Sequence, residues 1–118
     1  MAVLAARAAA DKQANDVRVL QVRDLIAITD FFVICSGNTD RQVKAIGEAI
    51  EEALRAEAVK PMRREGERDM HWLLLDFADV VVHVFQEEDR RYYELERLWK
   101  DAPLIEWDAA DQASRVRH

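Results

Sequence analysis

Residues 72–85 read WLLLDFADVVVHVF, the most apolar run of the chain. Ten of these residues are large and apolar, and Asp76, Asp79 and His83 are set among them. Alternation puts Trp72, Leu74 and Asp76 on one face of a strand and Leu73, Leu75 and Phe77 on the other. After Ala78-Asp79 the alternation resumes, with Val80, Val82 and Val84 against Val81, His83 and Phe85. Two strands with so short a joint form a hairpin. Neither strand has a clean polar face, so both faces must be largely covered, by helices or by a partner.

Outward from the hairpin, residues 30–36 (DFFVICS) form a continuous apolar run ended by Gly37-Asn38, which reads as a strand buried on both faces. A helix follows. Val43, Ile46, Ile50, Ala53 and Leu54 recur at spacings of three and four. Thr39 and Gln42 make a capping box at its start, and Pro61 sets its end near Val59. Residues 16–22 alternate in part and predict a strand, and the alanine-rich residues 1–14 predict a helix. Residues 60–71 predict a short strand and a loop. EEDRRYYELERLW, 87–99, predicts one helix with acids at its positive end and Tyr92, Leu95 and Trp99 on one face. After Lys100 the chain reads as a tail, with Leu104, Ile105 and Trp107 as its docking residues. Strand–helix–strand units together with a hairpin define an α/β domain, a mixed β-sheet covered by helices.

Half of the 118 residues are hydrophobic and the net charge is −6, a globular balance for one domain. An acidic chain is poorly suited to phosphate backbones and better suited to a basic protein. No apolar run reaches the roughly 18 residues that span a bilayer, and the N-terminus lacks a secretory core, so a cytoplasmic protein is expected. The single cysteine, Cys35, lies in an apolar strand and reads as a buried thiol.

The candidates for chemistry are few. His83 has no second histidine near it and reads as a satisfied sheet residue, and His71 and His118 are not placed to complete a triad. Ser36-Gly37 before a helix resembles the turn of a nucleotidyltransferase. Such a site also needs two carboxylates on one strand face to hold Mg²⁺. Asp76 and Asp79 are three apart and straddle the turn, which does not meet that need. Phosphate-cradling glycine patterns are absent, and Arg63-Arg64 and Arg90-Arg91, flanked by acids, read as solvated faces.

TDFFVICSGNTDRQVKAIGEAI, the following EG, WLLLDFADVVVHVF and EEDRRYYELERLW together resemble the ribosomal silencing factors, also called the Iojap family. The combination of D-x-V-V-H-V-F with Y-x-L-E-x-L-W makes the resemblance specific. Ala78 stands where that family usually has glycine. The resemblance covers residues 11–99, and so divides the chain into a domain at 1–100 and a tail at 101–118. It implies a fold similar to nucleotidyltransferases without their catalytic carboxylates, and hence no enzyme, cofactor or metal. It implies binding to the large ribosomal subunit through ribosomal protein L-fourteen, which blocks joining of the small subunit when nutrients are short. It also implies a homodimer when free, and a role in subunit assembly among organelle relatives. The family's contact aromatic corresponds to Trp72. The expected partner-binding residues are Trp72, Leu73, Leu75 and Phe77 as apolar anchors, with Asp76 and Asp79 matching basic side chains.

Overall fold

The two most apolar strands lie side by side and parallel, at the centre of a six-stranded sheet. The computed structural model describes residues 1–108. Helix α1 (Ala2–Asp11) leads into β1 (Asn15–Gln21), β2 (Phe31–Gly37) and helix α2 (Asp40–Arg55). Then come β3 (Arg63–Glu65), β4 (Trp72–Asp76), β5 (Val80–Gln86), helices α3 (Glu87–Tyr93) and α4 (Leu95–Leu98), and β6 (Leu104–Ile105). The sheet order is β3-β4-β5-β2-β1-β6. Among the described residues only β2 and β5 pair in parallel, so the sheet is mixed, as the alternation of helix, strand and hairpin implies.

Both long helices pack on one face. Ala2, Ala5, Ala6 and Ala9 form a stripe of small side chains on α1, and Val43, Ile46, Ile50 and Leu54 form the apolar stripe of α2. Beneath them lie Leu73, Leu75 and Phe77 with Val80, Val82 and Val84. The opposite face carries a smaller cluster of Leu20, Phe32, Ile34 and Phe85, partly covered by Trp72, Val81, Leu95 and Trp99. One face is thus roofed by helices over its central strands. The other is roofed only where the last third of the chain crosses it.

Helix α2 starts where the capping box places it. Thr39 Oγ1 accepts from the Gln42 amide at 3.1 Å. The Gln42 side chain reaches back one residue further than expected, to the N–H of Asn38 at 2.7 Å. Past Arg55 the chain closes through Ala58 at φ +63°, with Val59 N–H to Leu54 O and Ala58 N–H to Arg55 O both at 2.9 Å. This is a Schellman closure, and it brings Val59 back against the core.

The C-terminal third departs from the sequence reading. Residues 87–99 are two helices, because Glu94 takes a left-handed conformation at φ +48°. The break turns Leu95 and Trp99 onto the sheet and leaves Tyr92 80% exposed, so Tyr92 does not share their face. After Lys100, β6 pairs with β1, and Trp107 Nε1 donates to Val17 O at 2.9 Å. Ile105 and Trp107 dock, and Leu104 faces outward.

Candidate functional site: an aromatic surface on the less covered sheet face

Strand β4 sorts the expected partner-binding residues by face. Leu73, Leu75 and Phe77 are 4%, 0% and 4% exposed, inside the core beneath α2. These three expected anchors are core side chains in the folded chain. Alternation puts Trp72, Leu74 and Asp76 on the opposite face, and all three are half-buried.

Trp72 sits at the head of an aromatic chain. Its ring centroid lies 4.8 Å from the buried Phe85 and 4.9 Å from Tyr93, these two are 6.4 Å apart, and Tyr93 meets Tyr92 edge-on at 5.0 Å. Such contacts fix large rings at low entropic cost. Beside the indole lies a cleft of about 260 Å³ lined by Glu65, Gly66, Trp72 and Leu74. Gly66, at φ +80°, brings the loop so close that a Cβ there would meet Trp72 O at 1.9 Å. The sequence reading places Tyr92 on the inward face of a continuous helix and does not single out Tyr93.

The two aspartates do different work. Asp76 closes β4, accepting the Ala78 N–H at 2.9 Å and facing Arg63 at 3.5 Å, so its charge is already partly matched. Asp79 is exposed, and its carbonyl accepts from the N–H groups of Asp30 and Phe31 at 3.0 and 3.1 Å. Between them Ala78 has φ +74°, and Asp79 N–H reaches Phe77 O at 3.0 Å, which makes a γ-turn. The conformation is the one that glycine adopts most easily, and alanine holds it here.

His83 lies under Trp72, 5% exposed. Trp72 Nε1 donates to its Nδ1 at 3.1 Å, while its Nε2 is buried with no hydrogen-bond partner. Burial pulls the imidazole pKa down to about 4, so it is neutral at pH 7. The expected satisfied sheet histidine is therefore satisfied at one nitrogen only. His71 Nδ1 donates to Asp89 Oδ2 at 2.8 Å, and that hydrogen bond raises its pKa above the ordinary value. His118 lies outside the described residues. Burial pushes the Cys35 thiol up to about 12, which leaves it protonated.

Arg90 is a second correction, since it is 6% exposed rather than solvated. A bulge in β1 between Asn15 and Arg18 frees the carbonyls of Asn15 and Asp16 from the sheet. Arg90 Nη1 and Nη2 donate to them at 3.1 and 2.8 Å, and the guanidinium also meets both carboxylate oxygens of Glu96 at 3.2 and 3.0 Å. Ser36 Oγ accepts from Arg90 at 3.1 Å and donates to Glu87 Oε2 at 2.7 Å. That bond to Ser36, chiefly, lowers the Glu87 pKa. The Ser36-Gly37 turn is thereby tied into the scaffold that carries the aromatic surface. Among the described residues, no group of three or more His, Cys, Asp or Glu is placed to hold a metal ion, and no helix is long and apolar enough to cross a membrane.

Comparison with known proteins gives this geometry a family. The model of "Ribosomal silencing factor during starvation" matches residues 1–118. The ribosomal silencing factor RsfS of Bacillus subtilis is 42% identical over 105 residues, covering 89% of each chain. A mouse protein named for mitochondrial assembly of the ribosomal large subunit is 34% identical over 91 residues, 75% of this chain and 40% of its own. A crystal structure from Chromobacterium violaceum superposes with a TM-score of 0.80 at 33% identity, covering 82% of this chain and 81% of that one. The match along the whole chain, the level of identity and the shared fold agree, and the chain belongs to the RsfS family of ribosomal silencing factors.

Proposed function

We propose that this protein represses translation by binding the large ribosomal subunit through ribosomal protein L-fourteen, where its bulk blocks docking of the small subunit. The observation that carries this reading is the half-exposed indole of Trp72. It lies beside Leu74 and Tyr93, on the sheet face that α1 and α2 leave uncovered. Large aromatics at the centre of a patch are the residues that most often anchor protein interfaces. The net charge of −6 and the exposed Asp79 at the hairpin turn favour a basic partner, which ribosomal proteins commonly are. Binding requires no chemistry from the chain, and its action is steric rather than enzymatic. In the free state the protein forms a homodimer, and it acts in the cytoplasm.

The name of the mouse relative favours a second reading, in which the same surface serves assembly of the large subunit. Co-sedimentation tests both. Trp72→Ala is expected to abolish association with purified large subunits, and binding equal to the unaltered chain would refute the site. Association with immature particles alone would select the assembly role.

A further inference from the structure

Trp72 has one hydrogen-bonding group, the indole N–H, and the fold turns it inward. It meets Nδ1 of His83 at 3.1 Å, while the ring packs against Phe85 and Tyr93 at 4.8 and 4.9 Å, two rings that are themselves neighbours at 6.4 Å. An Nδ1 that accepts must carry no proton, so the neutral ring holds its proton on Nε2. That N–H is buried without a partner, and an aliphatic side chain on this strand would avoid its cost. His83 therefore does something here that hydrocarbon would not. It supplies an acceptor under the indole.

We propose that His83 is a positioning residue. It locks the indole of Trp72 with its N–H inward, so that the partner meets only ring carbon and the π face. This rests on the reading of Trp72 as a partner contact. It also defines the chemistry of the complementary side chain. A group that needs a hydrogen-bond donor finds none on the indole, whereas an apolar side chain, or the stem and cation of a Lys or Arg, fits a ring face. Glu65 lines the same cleft with its carboxylate already paired to Arg63 at 3.1 Å, and it is the net charge of −6 that favours the cationic choice. A lysine or arginine stem laid on Trp72 is the expected match.

The test compares His83→Leu, which removes the acceptor, with His83→Asn, whose amide oxygen occupies roughly the place of Nδ1. Sedimentation with purified large subunits reads the affinity. His83→Leu is expected to weaken binding about tenfold, the order of one lost hydrogen bond, and His83→Asn to stay within about threefold. Equal binding by His83→Leu and the unaltered chain overturns the proposal, as does equal loss in both variants. Trp72→Ala is run beside them. If it binds normally, the contact reading itself has failed. If it alone loses binding, only the role of His83 has failed. Imidazole ¹⁵N shifts of the unaltered full chain give a readout that needs no variant. Nδ1 is expected unprotonated and hydrogen-bonded, with the proton on Nε2, and the opposite tautomer overturns the proposal.

Discussion

Trp72, the first residue of β4, donates its indole N–H to Nδ1 of His83 in the middle of β5, across 3.1 Å. The bond ties a half-buried residue at the start of the hairpin to its buried centre. It also separates the two histidines of this region in their response to pH. His83 is held neutral by burial, with a pKa near 4. Its contribution to stability is present above about pH 6.5, the unfolded value, and is lost as pH falls toward 4. His71 is raised chiefly by its hydrogen bond to Asp89. Its contribution is full below about pH 6.5 and is lost as pH rises through its folded value. In an NMR titration His71 is expected to titrate above the ordinary histidine value and His83 only near pH 4. Asp89→Asn is expected to bring His71 back down. An unchanged His71 midpoint in that variant would show that the clasp is absent in solution.

Arg90 joins β1, β2 and α4 through a nearly closed set of bonds. Arg90→Met removes a buried cation and strands the carbonyls of the bulge and Glu96. The expected cost is about 3 kcal/mol, read as a fall in the urea midpoint. Arg90→Lys keeps the charge but not the paired geometry, and is expected to recover less than half of that loss. A Lys variant as stable as the unaltered chain would contradict the importance of the fork.

The hairpin turn offers a stabilising change. Ala78 sits at φ +74°, where a Cβ is strained. Ala78→Gly relieves this but adds freedom to the unfolded chain, for a net gain of about 0.5–1 kcal/mol. The melting temperature should rise by roughly 2–5 °C. A fall would show that the turn differs in solution.

Gly66 is the opposite case. Gly66→Ala places a Cβ 1.9 Å from Trp72 O at φ +80°, so the loop must move. A loss of about 2 kcal/mol or more is expected, together with weaker subunit binding, because the cleft beside the indole changes shape. Normal stability and normal binding would show that the loop does not support Trp72.

How much of this was legible in the sequence follows from range. Strands β2 and β5 declare themselves because residues covered on both faces must all be apolar. Helix α2 shows both its stripe and its cap. Alternation along β4 separates Trp72, Leu74 and Asp76 from Leu73, Leu75 and Phe77, but it carries no sign that says which set meets the helices. That was decided by α1 and α2 packing on the same face. Burial of Arg90 was illegible for a similar reason, since its carbonyl partners lie 75 and 74 residues away. The break at Glu94 uses neither glycine nor proline, so nothing local marked it, and Tyr93 was missed with it. The left-handed turn at Ala78 was foreseen only through the family's usual glycine.

Mixing purified small and large subunits with and without the protein, and resolving them on a sucrose gradient, tests the steric mechanism most directly. The joined fraction is expected to fall as the protein is added, with the protein moving with the large subunit, and Trp72→Ala is expected to leave joining intact. A joined fraction that stays constant while the protein is bound to the large subunit would contradict the blocking mechanism.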